Sequence, residues 1–184
     1  MNDVHIALVH YPVLDRNGRI VTSAITSLDL HDLARSARTY GARAFFVVHP
    51  IAQQRDFAAR VINHWMEGPG REYDSRRQEG LRLIRLVSDL DEAIAAAENI
   101  SGARPEIVMT SAREKNGVDY RSLRDRLESP GPPFLIVFGT GFGLAPDILD
   151  RADMMLAPIR GRDDYNHLSV RAAAAAILDR LLGN

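Results

Sequence analysis

Residues 134–138, Phe-Leu-Ile-Val-Phe, form an apolar run with no polar break, and they lead directly into Gly139-Thr140-Gly141-Phe142-Gly143. A strand that is apolar at every position has no face to offer water, so it fits a parallel sheet covered by helices on both sides. Similar runs stand at Val4 to His10 and Ala44 to Val48, with shorter ones at Glu106 to Met109 and Met154 to Leu156. Residues 81–87 alternate as a strand would. Between these runs the spacing turns helical. Leu30, Leu33, Ala34 and Ala37 follow a Thr26 or Ser27 cap, with Asp29 in the first turn, and Phe57, Val61 and Trp65 recur at four-residue steps. Ser88 is expected to cap a helix from Asp89 to Asn99, another helix should span Tyr120 to Leu127, and an alanine-rich one should close the chain after Ser169. The pattern predicts a doubly wound α/β fold with a mostly parallel sheet of about six strands, as one domain over 1–184 with a charged insertion at about 67–80.

Three loops then fall at carboxyl ends of neighbouring strands. They are the glycine loop, Ala157-Pro158-Ile159 after the short strand, and Asn166-His167-Leu168-Ser169 before the last helix. In open α/β sheets such loops converge on the crevice that binds ligands. Thr110 and Ser111, at the end of another strand, add a wall there or simply cap a helix. The Asp15 to Gly18 tract after Tyr11-Pro12 reads as a turn or an excursion over that crevice.

Composition removes several alternatives. The chain has no cysteine, so disulfides, thiolate metal sites and a cysteine nucleophile are absent. His31, His49 and His167 have no metal-ligand spacing, and no metal is expected. A net charge of -1 offers phosphate no global attraction, so a nucleic-acid partner would have to meet a local basic patch. No apolar run approaches the roughly 20 residues of a membrane span, and a cytoplasmic protein with no membrane partner is expected. The glycines do not match a dinucleotide fingerprint, because the third is misplaced and too little chain follows. No Lys-Ser or Lys-Thr pair follows them, which excludes a Walker loop.

In their order and spacing, the loops at Gly139 to Leu144, Ala157-Pro158-Ile159 and Asn166 to Val170 resemble those of the SPOUT, or α/β-knot, RNA methyltransferases. Asp29-Leu30-His31-Asp32-Leu33-Ala34-Arg35-Ser36-Ala37 resembles the same family's N-x-G-x-x-x-R-T-A helix start. Asp29 and His31 stand where the family has Asn and Gly, no Glu follows Gly139, and His167 takes the place of the usual Asn. The resemblance implies a C-terminal trefoil knot, S-adenosylmethionine as methyl donor, a structured RNA such as tRNA or rRNA as substrate, and a homodimer. It implies cofactor contacts from Thr110, Ser111, Gly139, Thr140, Gly141, Gly143, Ala157, Pro158, Ile159, His167, Leu168 and Ser169. Catalytic roles fall to Arg35, Asn166 and Ser169. The missing Glu keeps open a second reading, a catalytically weak module of the same fold that binds the cofactor or RNA. Arg71, Arg76 and Arg77 are candidates for an RNA-contacting rim, weighed against a solvated face balanced by neighbouring acids. The small residues Ala172 to Ala176 and the stretch Tyr11 to Asp15 are the expected dimer contacts.

Overall fold

The computed structural model describes residues 1–184 except Glu114, Lys115 and Asp164. Its first half runs β1 (Val4–Val9), β2 (Val13–Leu14), β3 (Ile20–Val21), α1 (Ser27–Thr39), β4 (Ala44–Val48), α2 (Ala52–Met66), α3 (Ser75–Leu81) and β5 (Ile84–Val87). The second half adds α4 (Leu90–Ser101), β6 (Glu106–Thr110), α5 (Tyr120–Glu128), β7 (Phe134–Gly139), α6 (Pro146–Leu149), β8 (Met154–Leu156) and α7 (Val170–Leu182). The six longer-paired strands form one sheet in the order β5-β4-β1-β7-β6-β8. Every neighbouring pair in it is parallel.

The apolar runs divide by alternation between two cores. Ile6, Leu8, Phe45, Val47, Ile136 and Phe138 point to the layer of α1, α2, α3, α5 and α7. Ala7, Val9, Phe46, Val48, Leu135 and Val137 point to the opposite side, against Ala93, Ile94 and Ala97 of α4 and Ile148 of α6. A period of two with both faces buried is what makes these strands read as unbroken apolar runs.

Several boundaries differ from the sequence expectation. The charged tract at 67–80 holds a 3-10 turn, Pro69–Glu72, and most of α3. Gln78, Gly80 and Leu81 of α3 are buried, so Leu81 ends a helix instead of starting a strand. Gly80 permits the contact with α1, since a Cβ there would lie 3.1 Å from the Ala34 carbonyl oxygen. Asp89, not Ser88, caps α4 by accepting the Glu92 N–H, while Ser88 bonds to the Glu92 carboxylate. Among the described residues Thr110 and Ser111 cap no helix: Thr110 Oγ1 donates to the Val137 carbonyl of β7 at 2.9 Å, and Ser111 Oγ accepts the Arg113 N–H at 3.1 Å.

The excursion after β1 is an antiparallel ribbon, β2 with β3. Asp15 Oδ1 accepts the N–H groups of Asn17 and Arg19, and Gly18 turns the chain with φ +76°. At the other end of the sheet, Val118 covers the outer edge of β8. Its N–H donates to Met155 at 2.7 Å and its carbonyl accepts the Ala157 N–H at 2.9 Å. The approach is close enough that a Cβ on Gly117 would stand 2.5 Å from Ala157 N and Leu156 C. Gly117→Ala is therefore expected to destabilise the protein by about 1–3 kcal/mol, the scale of overpacking, read as a lowered urea midpoint with unchanged slope.

Candidate functional site

At the carboxyl ends of β1, β6, β7 and β8 lies a cavity of about 590 Å³. All the residues expected to meet a cofactor line it: Thr110 and Ser111, the glycine loop at Gly139, Thr140, Gly141 and Gly143, the turn Ala157 to Ile159, and His167 to Ser169. Asn166 also lines it. Its Nδ2 donates to the Ala112 carbonyl at 3.0 Å, tying the last loop to the one after β6. Ser169 caps α7 by accepting the Ala172 N–H. Arg35 is not in the lining. It is exposed on α1 and, among the described residues, makes no hydrogen bond or ion pair. Arg71, Arg76 and Arg77 also lie away from the cavity. Arg77 stacks over Trp65 at 4.1 Å and faces Asp74 at 3.9 Å, so its guanidinium is engaged internally, whereas Arg71 and Arg76 are exposed.

The glycine loop is held by the ribbon. Leu14 N–H donates to Gly143, Phe142 N–H to Leu14, and Ala145 N–H to Pro12. Gly141 has φ +59°, and a Cβ on it would lie 2.9 Å from the Leu14 carbonyl oxygen. Gly141 thus serves the contact with β2 as well as the cavity wall. Gly143 has φ +114°, with nothing within 4 Å of where a Cβ would stand, so the backbone conformation, and no close neighbour, calls for glycine there.

One wall comes from residues that the loop pattern did not single out. Ser23, after β3, sits between Thr140 and a buried histidine. Its hydroxyl makes a short hydrogen bond with Thr140 Oγ1 and meets His10 Nδ1 at 2.9 Å. His49 lies beside His10, with ring centroids 5.6 Å apart. The His49 Nε2–H donates to the Ser23 carbonyl and its Nδ1 accepts the Ile51 N–H, which fixes the neutral tautomer. Burial holds His10 down to about 4, with His49 adding to the effect, and burial also lowers His49.

Asp29, in the first turn of α1, is the second contributor to that wall. It is buried, accepts from Thr26 Oγ1 at 2.6 Å and pairs with Arg171 Nη1 of α7 at 3.0 Å. Arg171 Nε also faces Asp32 at 3.4 Å. The sequence marked Asp29 as an acid in a first helical turn, but its partner lies 142 residues further along the chain and no local pattern reveals it.

The fold is similar to that of solved methyltransferases. The SpoU methyltransferase AviRb from Streptomyces viridochromogenes, solved in complex with AdoMet, superposes with a TM-score of 0.58 at 16% identity, over 98% of this chain and 57% of that one. Residues 3–183 match the SAM-dependent RNA methyltransferase family, and the protein belongs to it. Among relatives, a tRNA (guanine-N(1)-)-methyltransferase from Oleidesulfovibrio alaskensis is 43% identical over 182 residues, which is 99% of this chain and 42% of that protein. An uncharacterised protein from Aquifex aeolicus is 46% identical over 180 residues, 97% of this chain and 88% of its own length. The chain thus spans about two fifths of the tRNA methyltransferase relative. Among the described residues no helix is long and apolar enough to cross a membrane.

The buried histidines set a pH dependence. His5 and His10 are each held to about 4 by burial, against an ordinary value of 6.5. Between those values the unfolded chain binds more protons than the folded one, so stability is full above about 6.5 and falls as the pH drops toward 4. The thermal midpoint is expected to decline from pH 7 to pH 5, and His10→Gln should make that decline shallower.

Proposed function

We propose that the cavity holds S-adenosylmethionine and that the protein methylates a structured RNA, tRNA or rRNA. The observation that carries this reading is the convergence of the loops after β6, β7 and β8 on one cavity in a chain of this family. The residues fit the cofactor. The volume of about 590 Å³ falls in the range of about 300–1,000 Å³ usual for small-molecule sites. Ile159 and Leu168 offer apolar surface to a base, and the backbone of the glycine loop can approach a ligand without side chains intervening.

S-adenosylmethionine supplies a methyl group on a sulfonium, whose positive charge vanishes when the methyl leaves. The protein's part is to hold the acceptor in line with that methyl and to take its proton. Asn166, already anchored to Ala112, keeps its amide oxygen available to the acceptor, and Ser169 keeps a hydroxyl proton to donate while its oxygen caps α7. Arg71 and Arg76 would meet RNA phosphates.

The reading includes a homodimer and a knotted C-terminus. Tyr11, Leu28, Phe142 and Leu168 are large, apolar and exposed on the ribbon, α1 and the cavity rim, a surface suited to a second copy. α7 contributes less to it than its alanines suggest, because Ala174, Ile177, Leu178 and Leu181 are buried inside the chain. The knotted reading is supported by the contact between the segments after β6 and β8, where Val118 pairs with Met155 and Ala157 and Asn166 bonds to Ala112.

Calorimetric titration with S-adenosylhomocysteine tests the cofactor reading, and no binding at millimolar ligand would refute it. Gly141→Val should abolish that binding. It should also lower the ligand-free thermal midpoint, because the added atoms meet Leu14. Arg35, exposed and uncommitted, acts on the RNA at the crevice of a partner chain. Arg35→Ala is expected to leave ligand binding and dimerisation unchanged and to lower turnover by about 100-fold. Unchanged turnover returns Arg35 to a solvated helix face, and a monomer by light scattering removes the shared site.

A further inference from the structure

The segment between α2 and α3 carries a surface that the cavity does not use. Tyr73, which follows the 3-10 turn, is 84% exposed, more than any other large apolar side chain among the described residues. A single exposed tyrosine is ordinary on a protein surface. This one differs in how it is held and in what surrounds it.

The backbone of the turn is packed from beneath. Gly70 is buried, and a Cβ on it would lie 2.8 Å from the Trp65 ring, so the turn rests directly on the indole. The Tyr73 N–H donates to the Gly70 carbonyl at 3.1 Å. The Tyr73 and Trp65 rings meet edge to face with centroids 6.5 Å apart, and the Arg77 guanidinium lies 4.1 Å from the Trp65 ring centroid. The tyrosine ring is thus steadied on one side while most of its surface stays in water.

The surroundings are basic. Arg71 and Arg76 flank Tyr73 in the chain, both are exposed, and among the described residues neither makes an ion pair. Of the acids on this tract, Asp74 caps α3 and faces Arg77, and Glu79 pairs with Arg38. That leaves Glu67 and Glu72 to set against Arg71, Arg76 and Arg82, so the uncommitted charge is net positive. The surface also reaches α1. His31 meets the Trp65 ring edge-on at 5.6 Å, and Arg35 stands one helical turn further along. Burial lowers the His31 pKa, Arg77 lowers it further, Asp32 opposes them, and Arg35 is close enough to add to the lowering. Aromatic rings and arginines therefore alternate from Arg35 to Tyr73.

We propose that Tyr73 stacks on an unpaired nucleobase of the RNA substrate, with Arg71 and Arg76 on the neighbouring phosphates. The inference rests on the reading that the protein methylates RNA, and it places this contact outside the cofactor cavity. Aromatic rings set among basic side chains hold single strands because every base has a face to stack and every nucleotide a phosphate to pair. A duplex hides the faces of its bases, so one exposed ring fits a loop, a bulge or an end. A ring already steadied by Trp65 loses little freedom when the base arrives.

Trp65 is the only tryptophan of the chain, so its emission reports on this surface. The full chain is titrated, following that emission, with a single-stranded oligoribonucleotide and with the same strand annealed to its complement. The single strand should quench the emission and bind more tightly than the duplex. Tyr73→Phe, which keeps the ring, should bind the single strand as the wild type does, whereas Tyr73→Ala and Tyr73→Leu should each weaken it by about 10-fold. Arg71→Gln and Arg76→Gln should each lower the slope of log affinity against log salt by about 0.7. Thermal midpoint and S-adenosylhomocysteine affinity should stay at wild-type values in every variant, and Tyr73→Leu decides the matter if Tyr73→Ala does not fold. Single-strand affinity unchanged in Tyr73→Ala and Tyr73→Leu overturns the proposal alone, and is the result expected of a face that docks a protein. A wild type that binds neither RNA overturns the RNA reading and the proposal with it.

Discussion

The main-chain bonds between residues 12–14 and residues 142–145 are the constraint on which the site depends. β1 and β7 are neighbours in register, with Val9 opposite Gly139, so the chain leaves both strands at the same level of the sheet. The loops that follow would otherwise be free to diverge. Leu14, Gly143, Phe142, Ala145 and Pro12 lock them together through backbone groups alone, and Val13 bridges Leu144 in the same ribbon. Backbone hydrogen bonds impose geometry without demanding particular side chains, except where a Cβ would intrude. That exception is Gly141, which faces the Leu14 carbonyl.

A second constraint couples the two helices that flank the cavity. Asp29 begins α1 and Arg171 begins α7, and their ion pair joins the two helix N-termini across the wall of the site. The helices also pack along their length through Leu33, Ala37, Ile177 and Leu181. Apolar packing sets the distance between them and the ion pair sets their register, because a buried carboxylate without its counter-charge would be costly. Beneath that wall, His10 and His49 are held neutral by burial and fix Ser23 through its hydroxyl and carbonyl groups. The polar lining is thus rigid at the side chains and at the backbone behind them.

The basic tract illustrates how charge can serve packing. The sequence offers Arg77 with Arg71 and Arg76 as an RNA-contacting rim or a solvated face, but its guanidinium lies over Trp65, whose ring also meets His31 edge-on at 5.6 Å. This cluster seats α3 and the preceding 3-10 turn on α1 and α2. A segment rich in charge therefore belongs to the helical layer, because Gln78, Gly80 and Leu81 supply the buried face. Seven residues are too few for a clear helical period, and the charges on its other side mask the apolar positions.

The sequence alone determined the parallel sheet, both of its covered faces, and the loops that line the cavity. These are local matters: an apolar run states that a strand is buried, and a glycine or proline directly after it states where a loop must lie. The glycine loop, the turn at Ala157 to Ile159 and the segment Asn166 to Ser169 were legible for that reason. Only the tertiary structure decided which side chains from elsewhere complete the site and which stay out of it. Ser23 and Asp29 enter because β1 lies beside β7, and Arg171 reaches Asp29 only because α7 folds back along α1. Arg35 shares a helix with Asp29 yet stays outside, since six residues along α1 carry it away from the cavity wall and onto the exposed face. Pairings between residues more than a hundred positions apart leave no periodicity in the chain, so only the folded arrangement could reveal them.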